Sequence, residues 1–73
     1  MIPYKALAHI HSLNGEKDEI TVLRHQERDG QELSNYYIVR YGEILCTAVL
    51  NPFVGEFYAD DLYGVVNDET ERP

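Results

Sequence analysis

Cysteine, basic residues and long apolar runs are all scarce in this chain. Its one cysteine, Cys46, rules out an intrachain disulfide, and no CxxC or Cys/His zinc spacing occurs. Six Lys and Arg stand against thirteen Asp and Glu, giving a formal net charge of −7 on 73 residues. Phosphates would meet a net negative surface, so direct nucleic-acid binding is excluded as a simple function. The longest nearly apolar run, Ile44–Leu50, is interrupted by Thr47, whereas a spanning helix needs about twenty residues. No membrane partner is expected. The start of the chain, Met1–Ile10, has one Lys and no long apolar segment, so no secretory signal is read there. A cytoplasmic protein with a reduced thiol is the expectation. Glycine-rich phosphate loops, a nucleophile elbow and histidine–acid pairs at catalytic spacing are all missing. A chain this short also offers little depth for a catalytic pocket, so neither an enzyme nor a cofactor is expected.

What is present reads as strands. Apolar residues make up 44% and charged residues 26%, a composition that folds rather than stays disordered. The length suits one domain, expected over residues 1–66, followed by an acidic, frayed tail over 67–73 without an apolar residue. Domains of this size bury only about 60% of their unfolded surface. A dense β core or a partner subunit must therefore compensate for the missing disulfides. Tyr4–Leu13 alternates, with Ala6, Ala8 and Ile10 on one face and His9 and His11 on the other. Asn14-Gly15 marks a hairpin, and Glu19–Gln26 alternates again. A three-residue loop at Asn14–Glu16 would set Ile10 opposite Ile20, Ala8 opposite Val22, His11 opposite Glu19 and His9 opposite Thr21. Arg28-Asp29-Gly30-Gln31 is the next turn and Asn35–Tyr41 the third strand. Gly42-Glu43 suits a type II′ turn, which pairs Tyr41 with Ile44, Val39 with Cys46 and Tyr37 with Ala48.

Two faces follow for the central strand pair. One holds Tyr37, Val39, Tyr41, Ile44, Cys46, Ala48 and Leu50. The other holds Tyr36, Ile38, Arg40, Leu45, Thr47 and Val49, also mostly apolar, so Ile44–Leu50 reads as covered on both sides. After the Asn51–Gly55 loop, Glu56–Ala59 makes a fifth strand, and Leu62–Val66 a short sixth strand or closing turn. No segment has helical periodicity. The expected fold is all-β: a single small antiparallel sheet of five or six strands, a meander rolled into an open SH3-like or similar half-barrel.

Candidate sites are few. His9 and His11 at i and i+2 would share a face, with Glu19 opposite His11, a weak set of metal ligands because no third ligand is secured by spacing. A solvated strand face is the blander reading, and no metal site is assigned. His25 would sit across the hairpin near Lys5. Asp60 and Asp61 point to opposite faces on a strand and serve better as turn caps than as a paired acid and base. Cys46, mid-strand among apolar neighbours, reads as an inert core thiol. Of the six tyrosines, Tyr36 and Tyr58 are the best placed for exposure. Exposed aromatics on a small barrel suit peptide or protein binding, since base stacking would need more positive charge.

The segment Asn51-Pro52-Phe53-Val54-Gly55-Glu56-Phe57-Tyr58-Ala59-Asp60-Asp61-Leu62-Tyr63-Gly64, preceded by Ile44-Leu45-Cys46-Thr47-Ala48-Val49, resembles small uncharacterised proteins carried on mobile genetic elements of Gram-positive bacteria. The likeness covers the last third of the chain. It implies a bacterial, cytoplasmic accessory protein and supplies no site residues.

Two functional expectations result. The first is a non-enzymatic protein-interaction module that binds a protein partner or itself as a homodimer, through Tyr36, Ile38, Leu45, Val49 and Tyr58. The second is an acidic mimic of nucleic acid that fills the basic groove of a DNA- or RNA-binding protein. Its carboxylates would be Glu56, Asp60, Asp61, Asp68, Glu69 and Glu71, with Glu16, Asp18 and Glu19 in the first hairpin. Solubility alone is the blander explanation of the same acids.

Overall fold

The computed structural model describes residues 3–62. Five strands follow one another: β1 (Tyr4–Ile10), β2 (Lys17–Arg28), β3 (Gln31–Tyr41), β4 (Ile44–Asn51) and β5 (Glu56–Asp60). Each pairs antiparallel with the next. The meander then closes into a barrel, with β5 alongside β1. This corrects the open half-barrel expected from the sequence. The closing pair must be parallel, because in a five-strand meander the first and last strands run the same way. Small side chains line this part of the wall: Ala8 pairs with Phe57, Ile10 with Ala59, and Ala59 with Ala48. They let the strands approach, and closure removes the unpaired edges that an open sheet would expose.

The interior is filled by alternate residues of every strand. Ala8, Ile10, Ile20, Val22, Val39, Cys46, Ala48, Phe57 and Ala59 form one buried cluster, flanked by Ala6, Tyr37, Tyr41 and Leu50. The β3–β4 register is the expected one: Tyr41–Ile44, Val39–Cys46 and Tyr37–Ala48. Gly42, at φ 63°, supplies the positive φ that a tight turn with glycine first requires. At the β2–β3 turn, Asp29 and Gly30 both take positive φ, at 55° and 81°. Two successive positive φ values match the right-handed strand twist, so Arg28–Gln31 and Glu27–Glu32 pair directly. β2 and β3 therefore extend further toward this turn than the sequence suggested.

The first hairpin differs from expectation. Ile20 lies opposite Ala6 and not Ile10, Val22 opposite Tyr4, and His9 opposite Lys17 and not Thr21. The loop is the cause. His11–Leu13 winds into a 3-10 turn in place of the last residues of a strand. Asn14 N–H closes it on the His11 carbonyl, and Asn14 and Gly15 both take positive φ. Six residues are used where three were expected. The shift is four positions, an even number, so the inward set Ala6, Ala8, Ile10, Ile20 and Val22 survives unchanged.

β2 and β3 do not pair evenly. An extra residue lies between Val22 and Arg24, and Gln26 alone spans the interval matched on β3 by Leu33–Tyr36. Such irregularities sharpen the bend that a five-strand barrel demands. The same geometry explains Ile38. It points outward, yet it is fully buried. Gln26 reaches across β3, and its side-chain carbonyl accepts the Thr47 hydroxyl at 3.0 Å. Ile38 pairs with Thr47 on one side and Arg24 on the other, so it sits on the strand that this bridge crosses. Leu62 lies in a turn. The expected sixth strand beyond it and the tail over 67–73 fall outside the described residues. No helix among the described residues is long and apolar enough to cross a membrane.

Candidate interaction face

The outward residues of β3, β4 and β5 form the most unusual surface. Pairing sets Tyr36 beside Val49 and Val49 beside Tyr58, and the parallel closure sets Tyr58 beside His9. One cross-strand row thus runs Tyr36–Val49–Tyr58–His9 over four strands. Tyr36 and Tyr58 are each 45% exposed, Val49 37%, and Leu45, further along β4, 42%. Adjacent strands lie about 4.8 Å apart, so these side chains touch a common surface.

His9 anchors the end of the row. Its ring stacks on Tyr58 at 4.5 Å between centroids and 16° between planes. Nδ1 lies 2.8 Å from the Gly15 carbonyl oxygen, and Nε2 2.8 Å from the Glu56 carboxylate. Both partners are acceptors, so only the imidazolium satisfies them together. The Gly15 carbonyl first, and Glu56 second, raise the His9 pKa above its ordinary value. In return His9, then Lys17 at 3.3 Å, hold the Glu56 carboxyl below the usual range. On its other side Tyr58 is paired with Val49 across the β4–β5 ladder. Beside it an open cleft of about 510 Å³ is lined by His9, His11, Asn14, Val49, Tyr58 and Asp60, among others.

Four of the five expected contact residues, Tyr36, Leu45, Val49 and Tyr58, are therefore exposed on one face. Ile38, the fifth, is corrected: it is fully buried. The covering expected on both sides of β4 holds for the inner side only, and Ile44 beside the turn is 45% exposed.

The weak metal set is not brought together. His11 leaves the strand in the 3-10 turn, Glu19 approaches Lys5 at 3.8 Å, and both ring nitrogens of His9 are engaged. Among the described residues no group of three His, Cys, Asp or Glu could hold a metal. His25 lies not near Lys5 but against Tyr37, 4.3 Å between ring centroids. Cys46 is fully buried, and burial pushes its thiol up to about 11, which suits an inert core residue.

The acids are dispersed and partly engaged. Asp61 accepts both the backbone N–H and the hydroxyl of Ser12, tying β5 to the 3-10 turn. Asp60 accepts the Leu62 N–H at 3.4 Å, the capping role expected of it. Asp18 accepts the Tyr41 hydroxyl at 2.8 Å. Asp68, Glu69 and Glu71 lie outside the described residues, as does Tyr63. Among the partnerships that escaped the sequence are His9–Glu56, Gln26–Thr47 and Ser12–Asp61. All three join residues brought together by barrel closure or by a bulge, and no local pattern signals them. No protein-family model, curated protein or solved structure matches this chain.

Proposed function

We propose that this small barrel, SH3-like in size, is a non-enzymatic protein-interaction module that self-associates through the outer face of β3, β4 and β5. The observation that carries the reading is the exposed cross-strand row Tyr36–Val49–Tyr58, extended by Leu45. Rigid aromatics on regular strands lose little side-chain entropy on docking, which is why such rows favour protein contacts. Burying them against a second copy also supplies the apolar surface that a chain of 73 residues lacks. A reduced, buried Cys46 suits a cytoplasmic setting.

Sedimentation equilibrium from low micromolar to 1 mM tests this. The expected result is a reversible monomer–dimer equilibrium that Val49→Asp abolishes. A monomer at every concentration would refute self-association. The acidic-mimic reading separates by salt: its binding to a basic target would weaken steeply as ionic strength rises, whereas an apolar contact would hold.

A further inference from the structure

Two charges flank the exposed row. Arg40 lies opposite Leu45 on one side of β4, and Asp60 lies opposite Thr47 on the other. Both point outward with Tyr36 and Tyr58. Arg40 is exposed and forms no ion pair with any described residue. Asp60 accepts the long Leu62 N–H contact and forms no ion pair with any described residue. Two charges of opposite sign, neither ion-paired among the described residues, thus border one apolar spine, which is a self-complementary arrangement.

We propose that a second copy of this chain docks on this face about a two-fold axis along β4, with Arg40 of each copy paired to Asp60 of the other. The proposal rests on the self-association above and adds its geometry. An axis along β4 in the contact plane exchanges left and right but leaves position along the strand unchanged. Leu45 and Val49 then meet their own counterparts on the axis. Tyr36 faces Tyr58 of the second copy, and the reverse contact forms equally. Arg40 comes within one outward row, about 7 Å along the strand, of Asp60 of the second copy, a gap that an Arg side chain spans. Strands of the two sheets stay nearly aligned, a common way for sheets to pack. The alternative axis, running across the strands, would slide Tyr36 away from Tyr58 and leave both charges unpaired.

A charge swap tests the geometry. Arg40→Asp and Asp60→Arg should each weaken dimerisation at least tenfold, and the double variant should recover most of that loss. A second readout is independent of the charges: facing sheets lie about 10 Å apart, so Leu45→Cys, near the axis, should be joined to its counterpart by a short bis-maleimide cross-linker, while Arg28→Cys on the distant β2–β3 turn should not. Circular dichroism checks that every variant is folded. Single losses without recovery in the double variant, or absence of the Leu45→Cys cross-link in a dimeric sample, would overturn this two-fold while leaving self-association standing. A wild-type monomer at 1 mM would overturn both.

Discussion

Ile38 gives the sharpest test of how this barrel is built. Read along β3, Ile38 belongs with Tyr36 and Arg40 on the solvent side, where a truncation should cost almost nothing. Its complete burial says otherwise. Truncating a buried Ile to Ala costs roughly 2–5 kcal/mol, the transfer of the lost carbons plus the cavity left behind. Ile38 has small or flexible neighbours in Thr47 and Gln26, which can settle partly into the space, so the lower half of that range applies. We take about 3 kcal/mol. A single core of this size supplies about 3–5 kcal/mol in total. Starting from about 4 kcal/mol, Ile38→Ala would leave roughly 1 kcal/mol, or about one molecule in six unfolded at 25 °C. Leu45→Ala, on the exposed side of β4, should cost less than about 1 kcal/mol in the monomer.

Urea unfolding followed by far-ultraviolet circular dichroism measures both. The expected result is a midpoint lowered strongly by Ile38→Ala and weakly by Leu45→Ala, with unchanged slopes. Concentration supplies a second axis. If Ile38 were covered only by a partner subunit, the penalty would shrink as the protein is diluted and the wild type loses its dimer. Covered within its own chain, Ile38 shows the same penalty at 1 µM and at 100 µM. A cost for Ile38→Ala within 0.5 kcal/mol of that for Leu45→Ala, or one that vanishes on dilution, would refute the bridge over β3.

Further outcomes follow from the same contacts. Because its raised pKa favours the protonated form, His9 stabilises the fold fully below pH 6.5, and this contribution disappears as pH climbs through the folded value. His9→Gln should therefore flatten the fall of thermal midpoint with pH above 6.5, and an unaltered slope would count against the imidazolium. Glu56 and Asp18, both held low, act oppositely: their stabilisation exists above their ordinary values and is lost as pH falls through the folded ones. Glu56→Gln should blunt acid unfolding. Cys46 should resist thiol reagents in the native state at pH 8 and react at once in denaturing urea, and fast native labelling would contradict its burial. Gly30→Ala, at φ 81°, should cost about 1–2 kcal/mol in urea unfolding through the left-handed backbone it must adopt.

Why one hairpin was legible and the other was not is a question of which quantity sets register. At Gly42-Glu43 the turn is two residues long, glycine fixes its type, and the pairing Val39–Cys46 follows with no freedom left. At Asn14-Gly15 the same kind of signal sits inside a longer loop. Alternation of Ala6, Ala8 and Ile10 specifies only which face is inward, and that condition is met by any even shift. The inward set was therefore readable while the partners were not, and with them went His9, expected opposite Thr21 and found opposite Lys17. The interaction face divides along the same line. Tyr36 and Val49 meet through the legible hairpin, but Tyr58 meets His9 only because five strands close in parallel, joining positions 49 residues apart. Closure in turn depends on bulges opposite Gln26 that a regular period-two pattern does not announce. Ile38 fails for a related reason: strict alternation marks it as exposed, yet it is fully buried on the strand that the Gln26–Thr47 bond crosses beside the bulge. Sequence patterning thus assigns sides of a sheet reliably, whereas the contacts that shape this surface arise where the sheet bends and closes, and substitutions at Gln26 should disturb Ile38 and the β3 curvature together.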